Sequence, residues 1–145
     1  MNVTAVAEAI VLKGRTVVGG YAEGEALVTR QTISGWGGVN PVTGTVIERR
    51  HELRGQSFKG KVLVFPGAKG SSAWSITFHS ARLAGSAPKA MIFNQMTTKM
   101  ALGAVVTRAP AITDLDQDPL EVIESGDWVK VDADHGIVEV TRKEK

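Results

Sequence analysis

Short apolar runs alternate along this chain with glycine-rich and polar stretches, and the runs predict strands. Ala5 to Leu12 reads as a first strand ending at Lys13-Gly14, and Gly19-Gly20 mark a further break in the chain. Glu25 to Val28 form a second strand entered through Gly24, and Thr45 to Ile47 a short one after the glycine-dense loop Ser34 to Gly44. The polar stretch Glu48 to Ser57 leads to the run Val62 to Phe65, which reads as a buried strand. A helix is predicted over 72–84, because Trp74, Phe78 and Ala81 recur at helical spacing and Gly85 supplies a stop.

Lys89 to Phe93 give the next strand. Thr97 to Leu102 read as a helical turn that leaves through Gly103 into Ala104 to Val106, and Ile112 comes after Pro110. Pro119 to Ile123 form a short amphipathic turn. Gly126-Asp127 open a hairpin-like pair, Trp128 to Asp132 and Ile137 to Val140, with His135-Gly136 at its turn. The sum is a mixed α/β, strand-rich domain with one clear helix. Strands and helices do not alternate regularly, which disfavours a doubly wound nucleotide fold.

Composition narrows the chemistry. At 145 residues the chain suits one domain, 1–145, and is too short for two ordinary ones. A net charge of +2 and the absence of a basic stripe interleaved with aromatics argue against a nucleic-acid partner. No cysteine is present, so disulfides, a thiol nucleophile and thiolate metal ligands are excluded. His51, His79 and His135 are too far apart for a short metal-ligand spacing, and no metal is expected on this chain. His79 falls inside the predicted helix and suggests a structural role; His51, in a polar stretch, is expected at the surface. No signal peptide and no apolar run of membrane-spanning length is evident, which makes the cytoplasm the expected compartment and a membrane partner unexpected.

The segment Lys61 to Ser75 carries the candidate chemistry. A strand, a Pro/Gly loop with Lys69 as its one charge, and Ser71-Ser72 at the predicted helix start gather backbone N–H groups and a helix dipole at one point. Two readings stand side by side: the serines cap the helix, or a hydroxyl there meets an anionic substrate. The glycine spacing matches neither the phosphate loop nor the dinucleotide fingerprint. Trp36-Gly37-Gly38-Val39-Asn40 is a second candidate, since adjacent glycines permit close backbone approach, and also reads as a tight turn beside a packed Trp. Asn94, just after a strand, is placed at the same mouth or in a turn.

Several separated motifs occur in one order: Gly-Trp-Gly-Gly-Val-Asn-Pro-x-Thr-Gly at 35–44, Gly-Lys-Val-Leu-Val-Phe-Pro-x-x-Lys-Gly-Ser-Ser at 60–72, Ala87-Pro88-Lys89-Ala90, and Gly126-Asp127. Together they resemble the small subunit of the aconitase X family, over about Val11 to Val140. The resemblance implies a swivelling β/β/α three-layer domain that docks on a large aconitase X subunit, or is fused to it, with the active site at the junction. It implies that the iron–sulfur cluster is carried by that partner subunit, and that Ser71 is the catalytic base for loss of water from a small hydroxy acid. Lys69, Gly70, Ser72, Trp36, Gly37, Gly38 and Asn94 are then the candidate substrate-binding residues. On this reading the helix N-terminus and Lys69 stabilise the Ser71 alkoxide, with the Gly70 and Ser72 N–H groups as donors.

Known activities of the family are dehydration of cis-3-hydroxy-L-proline in bacteria and of mevalonate 5-phosphate in archaea. The archaeal pattern tends to Arg-Gly-Ser where this chain has Lys69-Gly70-Ser71, and Trp74 also looks like the bacterial type. The expectation is therefore hydroxyproline, with phosphomevalonate as the alternative. A different class is a non-catalytic docking module, with Met96 to Met100 as part of its face. A phosphohistidine carrier is disfavoured, because none of the three histidines lies on a glycine/threonine-rich loop.

Overall fold

The computed structural model describes residues 9–71 and 73–143. Along them run β1 (Ala9–Lys13), β2 (Arg15–Val18), β3 (Tyr21–Val28), β4 (Ile33–Ser34), β5 (Val39–Asn40), β6 (Thr45–Val46), β7 (Val62–Phe65) and β8 (Ala68–Lys69). Then come α1 (Trp74–Ala84), β9 (Ala90–Phe93), α2 (Thr98–Thr107), β10 (Ala111–Thr113), α3 (Pro119–Val122), β11 (Trp128–Asp132) and β12 (Ile137–Thr141).

Eight of these strands hydrogen-bond in the order β1-β12-β11-β3-β7-β9-β10-β2. β3 belongs to two halves. Tyr21 to Glu25 pair antiparallel with β11, and Ala26 to Val28 pair parallel with β7. The antiparallel half is β1, β12, β11 and the start of β3; the parallel half is the end of β3, β7, β9 and β10. Gly14 alone links β1 and β2 at opposite ends of this order, so the sheet curls back on itself.

Alternation along the parallel strands explains their unbroken apolar runs, since such strands are buried on both faces. Val62 and Val64 of β7, and Ala90 and Ile92 of β9, pack against Val129, Val131, Val138 and Val140 of the antiparallel half. The other face, Leu63, Phe65, Met91 and Phe93, packs against Trp74 and Phe78 of α1 and Met100 and Ala104 of α2. The layers are therefore sheet, sheet and helix, the expected β/β/α arrangement.

The helix layer is built on an aromatic stack. The Trp74 and Phe78 rings lie 4.0 Å apart at 18°, and Phe58 stacks on Phe78 at 5.3 Å. The Trp74 indole N–H donates to the Ile33 carbonyl at 2.9 Å. Gly85, at φ 78°, ends α1 in the left-handed conformation as its position predicts.

The start of the first strand, residues 5–8, lies outside the described residues. Three local expectations change. The segment Arg15–Val18 is a strand that the pattern missed, because its two apolar residues, Val17 and Val18, are adjacent rather than alternating and only partly buried. α1 begins at Trp74 rather than at 72. α2 continues through Gly103, where the pattern predicted an exit. A Cβ at Gly103 would stand 2.0 Å from the Trp74 ring, so the glycine is where α1 and α2 touch. The Thr97 hydroxyl caps α2 by accepting the Met100 N–H. Among the described residues no helix is long and apolar enough to cross a membrane.

Candidate active site

β7 carries the chain out of the core to Pro66-Gly67, and β8 then pairs parallel with β4, Ile33 to Ala68 and Ser34 to Lys69. This pairing lays the loop after β8 beside the loop after β4. Gly70, at φ 94°, turns the backbone, and Ser71 emerges exposed at the foot of α1. Its carbonyl accepts the Trp74 N–H at 3.1 Å. Its Oγ accepts the Ala73 N–H at 3.2 Å. The residue before the helix is Ala73, with no side-chain cap, so Ser71 does not cap α1 in the expected way. Ser72 lies outside the described residues. A backbone N–H aimed at Ser71 Oγ favours its negative form over its neutral form.

Lys99, at the start of α2, donates from Nζ to the Gly70 carbonyl at 2.7 Å. It brings a second ammonium to the Ser71 loop. The sequence reading missed it, since 29 residues separate the pair and no local spacing marks the contact.

Lys69 points elsewhere. Its Nζ lies 2.6 Å from Glu48 Oε2. Burial pushes the Glu48 carboxyl up, but the hydrogen bond and charge of Lys69, aided by the Ser34 backbone and His51, outweigh it and hold the carboxyl below its ordinary value. Lys69 is thus an internally paired charge.

His51 corrects the expectation of a surface residue: it is 6% exposed. Its Nδ1 accepts the Leu53 N–H at 3.0 Å, which leaves Nε2 as the protonated nitrogen, facing the Thr32 carbonyl at 3.2 Å. The Glu52 carboxylate accepts the Thr29 hydroxyl and the Arg30 N–H from the end of β3. These bonds press the polar 48–53 stretch onto the strand ends and leave its charges facing a cavity.

That cavity, of about 420 Å³, is lined by Arg30, Glu48, Arg50, Lys69 and Gln95, among others. It lies beyond the carboxyl ends of β3, β7 and β9, where ligands of open parallel sheets bind. Asn94 takes no part: its side-chain amide donates to Asp118 at 3.2 Å, and it lines a separate depression. Gln95, one residue on, faces the cavity instead, because side chains alternate where the strand ends.

The glycine loop divides between structure and surface. A Cβ at Gly38 would lie 2.3 Å from the Ser34 carbonyl oxygen, and the Gly38 carbonyl accepts the Ile47 N–H at 2.9 Å, so close packing requires this glycine. Gly37, at φ 76°, completes the turn. Trp36 is not packed: it is 83% exposed and, with Val39, Pro41 and Ile76, borders a second cavity of about 340 Å³. Met100 is buried in the core rather than on a docking face, while Met96 is exposed. His135 takes its expected place in the β11–β12 turn, where Nδ1 lies 2.9 Å from Asp132 Oδ2. His79 is half-buried in α1.

Among the described residues no three His, Asp or Glu side chains gather where they could hold an ion. The family described as the aconitase X swivel domain matches residues 11–140. The chain belongs to that family. The phosphomevalonate dehydratase small subunit of Methanocella arvoryzae is 45% identical over 130 residues, covering 90% of this chain and 98% of the relative. The phosphomevalonate dehydratase small subunit of Thermococcus onnurineus is 44% identical over 129 residues, 89% of this chain and 97% of the relative. The crystal structure of Thermococcus kodakaraensis aconitase X in its holo form superposes with a TM-score of 0.86 at 41% identity, over 92% of this chain and 99% of that one. The names of the Methanocella and Thermococcus onnurineus relatives carry phosphomevalonate, the alternative substrate, rather than hydroxyproline.

Proposed function

We propose that this chain is the small subunit of a cytoplasmic aconitase X-type hydro-lyase that dehydrates phosphomevalonate, and that Ser71 is its catalytic base. The observation that carries the base assignment is the Ala73 N–H donating to Ser71 Oγ, on an exposed loop between a lysine-bearing strand end and a helix N-terminus. An alkoxide there gains the amide, the helix dipole and the nearby Lys99 ammonium. The substrate is a 3-hydroxy acid. Ser71 takes the proton from the carbon next to the carboxylate, the electron pair of that C–H bond forms the double bond, and the hydroxyl on the next carbon departs as water after gaining a proton.

The substrate choice rests on the relatives' names and on the cationic cavity lined by Arg30, Arg50 and Lys69. Ser71 is exposed, which fits completion of the site by a large subunit. An iron–sulfur cluster supplies a Lewis acid for a leaving hydroxyl, and on this reading it belongs to that partner.

The test is anaerobic co-expression with an aconitase X large subunit from the same organism, then dehydration assays on phosphomevalonate and on cis-3-hydroxy-L-proline. Phosphomevalonate turnover by the wild-type pair, lost in Ser71→Ala while the pair still forms, is expected. Turnover of hydroxyproline alone reverses the substrate assignment. Equal turnover by Ser71→Ala removes the serine base and leaves this chain a docking lid.

A further inference from the structure

The cavity beyond the ends of β3, β7 and β9 holds three cations, and their pairing differs. Lys69 is matched by Glu48 at 2.6 Å. Arg30 is matched by Glu121 at 3.1 Å and also donates to the Leu120 carbonyl. Arg50 has neither a hydrogen bond nor an ion pair among the described residues, although it lines the cavity and sits one residue from the buried His51 strut. With Lys69 and Glu48 cancelling, and Arg30 partly matched, Arg50 is the unmatched charge of the cavity. A guanidinium presents a planar fork that fits a phosphate with two parallel bonds.

We propose that this cavity is the phosphate subsite of the substrate, with Arg50 as its principal ligand and Arg30 as the second. The proposal rests on the reading of the chain as a phosphomevalonate dehydratase subunit and adds the residues that choose the phosphorylated acid over its free form. Lys69 lines the cavity and lies two residues before Ser71, so one loop carries a wall of the subsite and the proposed base. Arg50 is held by the backbone rather than by a side-chain partner, because His51 fixes the loop through Leu53 and Thr32. Its head therefore remains available for a ligand.

The experiment compares the wild-type two-subunit enzyme with Arg50→Gln and Arg50→Lys, on phosphomevalonate and on unphosphorylated mevalonate. Loss of one charge-assisted, two-pronged contact should lower kcat/KM for phosphomevalonate about 30-fold in Arg50→Gln, mostly through KM. Arg50→Lys should recover part of that loss, and mevalonate turnover should not change. An unchanged KM for phosphomevalonate in Arg50→Gln overturns the subsite and leaves the proposed function standing. If the wild-type pair does not turn over phosphomevalonate at all, the function fails instead, and titration of this chain with inorganic phosphate decides the subsite. Saturable binding lost in Arg50→Gln keeps a phosphate site; equal or absent binding in both proteins overturns it.

Discussion

Gly103→Ala is expected to weaken the fold at the point that supports Ser71. A Cβ at Gly103 would lie 2.0 Å from Trp74 Cζ3 and 2.3 Å from Cε3, where ordinary contact needs at least 3.4 Å. The ring cannot swing aside freely. It is 1% exposed, stacked on Phe78, and bonded through its N–H to the Ile33 carbonyl. Overpacking of this kind costs about 1–3 kcal/mol. Losing the indole bond leaves a buried carbonyl short of a partner, for about another 1–3 kcal/mol. Alanine returns roughly 1 kcal/mol through its better helix propensity. The net expectation is destabilisation of roughly 1–5 kcal/mol, centred on about 3 kcal/mol.

Urea unfolding monitored by far-UV circular dichroism measures the effect. With a slope of about 1–3 kcal/mol per molar urea, the central loss of about 3 kcal/mol should lower the midpoint by about 1–3 M. Replacing Trp74 with Phe in the Gly103→Ala background removes the atoms that clash. The double variant should therefore be less destabilised than the sum of the two single changes. Since Trp74 opens α1 three residues after Ser71, turnover by the assembled pair should decline with Gly103→Ala as well. A Gly103→Ala midpoint equal to or above the wild type would refute the close α1–α2 contact and the role given to this glycine.

Two further predictions concern protons. Tyr21 is the one tyrosine of the chain, and its hydroxyl donates to Glu23 at 2.6 Å; that bond, then burial and the Glu23 charge, pushes its pKa from 10.0 up to about 12. An ultraviolet titration reads it directly, and Glu23→Gln should bring the midpoint back toward the ordinary value; because the folded pKa is raised, this stabilisation is present below pH 10.0 and lost as the pH climbs toward about 12. Glu48 has the opposite sign. Its folded pKa lies below 4.5, so the stability it contributes is present above that value and lost as the pH falls through the lower folded one. The stability difference between the wild type and Glu48→Gln should therefore shrink in acid, and a difference that does not change with pH would argue against the Lys69 pairing.

Local pattern determined what repeats within a few residues. Val62 to Phe65, Trp74-Phe78-Ala81 and the β11–β12 hairpin were legible because strand and helix periods place their apolar groups on a buried face. The ordered motifs from Trp36 to Asp127 were enough to identify the family. Contacts between distant segments were not legible, since nothing in a window around either partner encodes them. Lys69 meets Glu48 across 21 residues and Lys99 meets Gly70 across 29, so the lysine expected at Ser71 is paired with a carboxylate and a distant one reaches the loop. His51 reads as a surface residue among Glu and Arg neighbours, yet it is buried because the end of β3 offers it a carbonyl acceptor at Thr32. Gly103 looks like a helix terminator until Trp74 is seen filling the space a side chain would need. The motif could name Ser71. Only tertiary packing brings Arg30, Arg50 and Lys69, which are far apart in the chain, around one cavity.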